Sequence, residues 1–143
     1  SGHSSEPDFR DDDAAAVAKE LMELGVLVNT GAHGQREGLA THWEMWSFVE
    51  GGMSPMQMLA TATINPAHYL GMDADLGSIE TGKLADLQVV DGNPLEDVKS
   101  TDRITHVMVN GRLYRANDLG EEVTGSRPAP TLWWHNQPQH QIR

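Results

Sequence analysis

Seven histidines and 21 acidic side chains are enough to build a metal or acid–base site, so their spacing decides what chemistry the chain can carry. His42 and Glu44 lie two residues apart on one expected helix, a spacing that puts them on different faces. His33 and His42 are nine apart with a glycine-rich run between them. Neither His-Glu-x-x-His nor His-x-His occurs, so a complete metal site inside this chain is not expected. A single ligand, or a group behind the ligands, fits the spacing better. His33 stands out because Gly31 and Gly34 flank it just past a strand-like run, where close backbone approach is possible. An imidazole there could take a proton, bind a metal or orient a substrate, or it could simply bond a neighbouring carbonyl. For His42 and Glu44 the competing role is to brace the loop that precedes their helix. His68, His106, His135 and His140 have no motif around them.

Other chemistries are excluded by pattern. The chain has no cysteine, hence no disulfide, thiolate ligand or cysteine nucleophile. Gly31-x-x-Gly34-x-x-x-Gly38 is neither a phosphate loop nor a dinucleotide fingerprint, and no Gly-x-Ser-x-Gly elbow occurs. Trp43 and Trp46 keep helical spacing with Leu39 and Val49, which reads as core packing and not as a cofactor stack.

The elements that would position His33 follow from periodicity. Asp11, Asp12 and Asp13 start a helix, Val17, Leu21 and Leu24 mark its apolar face, and Gly25 stops it. Val26 to Thr30 is a nearly continuous apolar run expected to be a buried strand of an α/β architecture, with the loop 31–38 leaving its C-terminal end. A helix from Leu39 follows, its stripe widened by Met45 and Phe48 and ended by Gly51-Gly52. Ser54-Pro55-Met56-Gln57 is a capping box opening a helix to about Ala62, and Asn65-Pro66 is expected to cap another that Gly71 closes. From Gly77 the pattern turns to β: strands at 85–90 and 104–109, and a hairpin signal at Asn110-Gly111 before Arg112-Leu113-Tyr114. The tail from Asn117 reads as an extended strap anchored by Trp133-Trp134.

Composition bounds the size of what these elements can build. In 143 residues only 29 are Leu, Ile, Val or Phe, a thin supply for an independent core. One strand-plus-helix unit cannot close a barrel, and the chain begins Ser1-Gly2-His3 without Met. Both point to a piece of a larger protein, or to a domain that packs on a partner. The net charge of −11 argues against nucleic-acid and anionic-lipid surfaces. No apolar run reaches the length of a membrane span, no signal peptide opens the chain, and no compartment is assigned.

The second half carries a family pattern. The runs Ala60-Thr61-Ala62-Thr63-Ile64-Asn65-Pro66-Ala67, Gly77-Ser78-Ile79-Glu80-Thr81-Gly82-Lys83-Leu84-Ala85-Asp86-Leu87 and Val107-Met108-Val109-Asn110-Gly111 resemble the C-terminal end of the metal-dependent amidohydrolase superfamily. The nearest branch is the imidazolonepropionase-like and Xaa-Pro-dipeptidase-like one. The stretch Gly31 to Gln35 through His42-Trp43-Glu44 resembles members with an N-terminal β-propeller, and the likeness covers about residues 8 to 125. In these runs Lys83, in reach of a neighbouring carboxylate, and Asp86, tying down the turn before its strand, read as scaffold.

The resemblance implies an α/β fold: the C-terminal segment of a TIM-type (β/α)8 barrel (residues 1–75), then the C-terminal part of a small β-sandwich (76–116), then the strap (117–143). It implies hydrolysis of C–N bonds in a small amide or peptide-like substrate, with a divalent metal, usually zinc. Val26–Thr30 would be strand 8, and the metal ligands, from strands 1, 4, 5 and 6, would lie upstream of Ser1. Where the family ends strand 8 in Gly-Thr-Asp, this chain has Gly31-Ala32-His33, so His33 takes the place of the proton-accepting aspartate. His33 is then the expected catalytic group, and Gln35, His42 and Glu44 the expected substrate contacts. Alone, such a segment would be inactive and would need the rest of the barrel or a complementary chain. The rival readings are a non-catalytic assembly module docking on a separate barrel chain through Trp43, Trp46 and Trp133-Trp134, and a degenerate amidohydrolase.

Overall fold

Glycines and hydroxyl caps set the limits of the helices in the computed structural model, which describes residues 11–32, 36 and 38–132. Helix α1 spans Asp11–Glu23. Gly25, at φ +86°, turns the chain out of it, with Gly25 N–H donating to Met22 O and Val26 N–H to Leu21 O, a Schellman ending. Helix α2 is Leu39–Glu50, α3 Pro55–Thr61 and α4 Ile64–Tyr69. The capping box of α3 forms as its sequence requires, with Ser54 and Gln57 exchanging backbone and side-chain bonds. Asn65 does not cap α4. Thr63 precedes the helix without a side-chain cap, and Asn65 Nδ2 reaches back 2.9 Å to Val28 O.

The run Val26–Thr30 is not a strand among the described residues. A strand is defined by ladder bonds to a neighbour. This segment instead bonds the ends of helices: Thr30 N–H donates to Thr61 O at 2.9 Å, the Thr30 and Thr61 hydroxyls lie 2.8 Å apart, and Asn65 holds Val28. Val26 and Leu27 remain 48% and 42% exposed, far from the two-faced burial expected of a parallel strand.

The helical core is small and rich in methionine. Ala15, Phe48 and Met53 pack together with Ala18, Met22 and Val28 around them, and Met45 and Met58 are also buried. Trp43 is not core: it is 47% exposed, and Met45 and Phe48 are the buried side chains of α2. The α1–α2 contact closes at Gly51, where an added Cβ would sit 2.6 Å from the Ala15 carbonyl carbon.

Strands β1 (Leu87–Val90), β2 (Ile104–Val109) and β3 (Arg112–Arg115) form an antiparallel sheet in the order β1-β2-β3, with a 3-10 helix at Val98–Asp102 before β2. Leu87 faces Met108 and Val107 faces Tyr114 across the two ladders. The β2–β3 turn has Asn110 at φ +48° and Gly111 at φ +76°, the pair of positive angles that a two-residue hairpin of this hand needs. Asp86 does not tie the turn before its own strand; its Oδ1 accepts Asn110 N–H at 2.6 Å and clamps the hairpin. Ahead of β1, the stretch around the half-buried Lys83 is drawn together by its ammonium, which donates to Asp73 O at 2.6 Å and pairs with Glu80 at 3.2 Å.

The chain just past β3 folds back through hydrogen bonds, with Gly120 and Glu121 buried. Glu121 bridges to Tyr114, Glu122 N–H donates to Leu113 O, and Arg115 pairs with Asp118 at 2.9 Å. The buried Glu121 carboxylate gathers the Thr124 N–H at 2.8 Å, the Ser126 N–H at 3.0 Å and the Thr124 hydroxyl. Residues 117–127 thus turn back on the sheet edge, while Trp133-Trp134, the expected anchors of the strap, lie outside the described residues.

Two stability outcomes follow. Gly51→Ala forces α1 and α2 apart and should cost about 1–3 kcal/mol in urea unfolding. The hydrogen bonds from Thr124, its hydroxyl before its backbone, hold the Glu121 carboxyl from 4.5 down to about 2 against the raising effect of burial. A depressed folded value stabilises above the unfolded one, so this contribution is complete above pH 4.5 and is lost as pH falls towards 2. Glu121→Gln should flatten that acid limb of the stability profile.

Candidate active site

Helix α2 carries the two described candidates and points them apart. His42 and Glu44 are separated by roughly 200° around the helix axis, the consequence of a two-residue spacing at 3.6 residues per turn. Glu44, half-buried, aims at the end of the 26–30 segment, where its Oε2 accepts Gly31 N–H at 2.8 Å. His42, also half-buried, aims at the 3-10 helix, where its Nδ1 lies 3.2 Å from Thr101 Oγ1. One turn further, Trp46 Nε1–H donates to the same hydroxyl at 2.9 Å. The structure therefore does not join His42 and Glu44 into one constellation. His33 and Gln35 lie outside the described residues, two and four positions beyond the Gly31 that Glu44 holds.

Glu44 also forms part of the wall of an open groove of about 350 Å³ between α1 and α2, shared with Ala14, Trp43 and Ser47. Its carboxylate takes one of the backbone donors at the mouth of the loop and leaves Trp43 as the exposed apolar wall.

Among the described residues no three histidine or acidic side chains are placed to hold a metal. The histidine–carboxylate contacts His68–Asp73 at 3.0 Å and His106–Glu122 at 2.7 Å are two-membered and stand near the surface. The Asp73 carboxyl is held below the ordinary range chiefly by the His68 hydrogen bond, and Glu80 likewise by Ser78 first and then Lys83. These groups serve local structure. Sequence reasoning missed Thr101: a threonine in a short helix, 59 residues from His42, has no local signature that marks it as a partner.

Residues 8–114 match the model of the group described as the Amidohydrolase family. The chain is 36% identical over 80 residues to an imidazolonepropionase of Symbiobacterium thermophilum, covering 52% of this chain and 19% of that protein. It is 33% identical over 104 residues to an ochratoxinase of Aspergillus niger, covering 69% and 22%. Among solved structures it is similar to a Xaa-Pro dipeptidase with bound methionine in the active site. The TM-score is 0.65 at 36% identity, covering 71% of this chain and 25% of that one. The chain spans about a fifth of the length of these two curated relatives.

The Gly31–Glu44 bond is testable directly. Glu44→Ala should speed hydrogen exchange at the Gly31 amide about tenfold, the scale expected for one charge-assisted hydrogen bond, while exchange at buried amides of α3 stays unchanged.

Proposed function

The chain belongs to the amidohydrolase family, and from that premise we propose that it is the C-terminal segment of a metal-dependent hydrolase of C–N bonds. In this reading residues 1–75 are the last units of a (β/α)8 barrel and 76–116 belong to a small β-sandwich. Val26–Thr30, which has no ladder partner among the described residues, would pair as the final barrel strand only beside the preceding barrel units, and the divalent metal would be held by residues outside this chain. The substrate is a small amide or peptide-like molecule, a class supported by similarity to a Xaa-Pro dipeptidase and to an imidazolonepropionase.

The observation that carries the reading is the anchoring of the segment's end. Gly31 is held by Glu44, and Thr30 by Thr61, so the residues just ahead of His33 in sequence are fixed at the C-terminal end of a segment whose apolar side chains Val26 and Leu27 stay open. That arrangement suits a strand awaiting sheet neighbours, with chemistry at its C-terminal end. Further apolar exposure lies on α1 at Val17 and Leu21 and just past it at Leu24, and an adjoining barrel unit would cover it.

The reaction needs little from this chain. Water oxygen bonds to the carbonyl carbon, the C–N bond breaks, and a proton from water ends on the departing nitrogen. His33, in the sequence position of the family's proton acceptor, takes up that proton and returns it. Gln35, His42 and Glu44 orient the substrate or the loop around it.

In the full-length protein, hydrolysis of an Ala-Pro dipeptide or of another small amide is expected. His33→Ala should lower kcat by about a hundredfold or more while moving Tm by no more than about 2 °C. Unchanged turnover would remove His33 from the reaction, and a full-length protein inactive on a panel of dipeptides and cyclic amides would sink the assignment.

A further inference from the structure

The Thr101 hydroxyl has one proton and stands between two ring nitrogens of α2. Thr101 is buried, at 4% exposure, which shields its hydroxyl from bulk solvent. Trp46 Nε1 can only donate, and at 2.9 Å it occupies one lone pair of Thr101 Oγ1. The remaining ring nitrogen in reach is His42 Nδ1 at 3.2 Å, and among the described residues no other acceptor for the hydroxyl proton is found. A histidine that donated from Nδ1 would leave that buried proton without an acceptor, an arrangement that folded proteins avoid.

We propose that Thr101 is a positioning residue that donates to His42 Nδ1, holds the neutral ring as its Nε2–H tautomer, and so presents an N–H donor for a substrate oxygen. The proposal rests on the reading above for its substrate half; its tautomer half stands on the Thr101 geometry alone. A neutral imidazole with Nδ1 engaged as acceptor carries its hydrogen on Nε2. Nε2 of His42 meets no acceptor among the described residues, and the ring is half-buried near the start of α2, the helix whose Glu44 holds the mouth of the His33 loop. The matching ligand group is a carbonyl or carboxylate oxygen of an amide or dipeptide. The bond also links the two parts of the chain: a residue of the 3-10 helix ahead of β2 sets the donor pattern of a residue on α2.

The test uses full-length protein labelled with ¹⁵N-histidine, with the His42 signals identified by their loss in His42→Gln. Above the histidine titration range, wild type and Thr101→Ser should show the Nε2–H form, and Thr101→Val should lose that preference. With Ala-Pro as substrate, Thr101→Val should raise KM by roughly threefold to tenfold, the scale of one neutral hydrogen bond, with kcat little changed. Thr101→Ser should restore it. His42→Gln, which keeps an N–H donor near the Nε2 position, should retain a lower KM than His42→Ala; this pair decides the substrate half even where Thr101→Val does not fold. An Nδ1–H form in wild type overturns the Thr101 assignment whatever the activity. A tautomer that follows Thr101 without any change in KM, or equal KM values for His42→Gln and His42→Ala, overturns the substrate contact. A protein with the expected tautomer but no amide hydrolysis overturns the proposed function, and the substrate half with it.

Discussion

A threonine hydroxyl ties helix α2 to the 3-10 helix that leads into the sheet. Thr101 accepts from Trp46 and meets His42, and Ser100 beside it is buried as well, so the 3-10 helix ahead of β2 is seated on α2. On its other side α2 packs against α1 through Phe48 and Ala15 and holds Gly31 through Glu44. Helix α2 is thus fixed on three sides by different physics: an indole and an imidazole on a hydroxyl, apolar burial, and a carboxylate on a backbone amide. If α2 moves, the Gly31 amide loses its anchor.

The apolar packing around this helix is modest. The buried set is dominated by alanine and methionine, side chains that fill space without strongly defining it, and Leu24, Val26, Leu27 and Val17 stay open. Specific polar ties supply the definition that packing does not. Asn65 to Val28, Thr30 to Thr61 and the Ser54–Gln57 box lock the helix ends around the 26–30 segment. In the β part, Asp86 on Asn110 and Glu121 on Thr124 and Ser126 do the same for turns. Each uses an acidic side chain to satisfy backbone donors, which gives part of the net charge of −11 a structural role.

Local rules explain which elements could be read in advance. The α3 capping box, the glycine stops, strand Ile104–Val109 and the Asn110-Gly111 hairpin all depend on residues within a few positions of one another, and all formed as expected. Val26–Thr30 has the composition of a buried strand but no ladder among the described residues, because a strand exists only with a neighbour to bond. Trp43 and Trp46 share helical spacing, yet one is half open and the other spends its N–H on Thr101, a distinction that spacing cannot make.

By itself, the sequence determined the four helices, the α3 cap, the glycine turns, the hairpin and the family, since each is written in contiguous residues. It left His42 and Glu44 as a pair of polar residues with several possible roles. Only the tertiary structure decided that Glu44 holds the Gly31 amide, that His42 meets Thr101, and that Glu121 folds the chain beyond the sheet back onto its edge. The physical reason is the same throughout. A hydrogen bond between groups dozens of residues apart depends on how helices and sheet pack, and that packing is a property of the whole chain and not of any window along it.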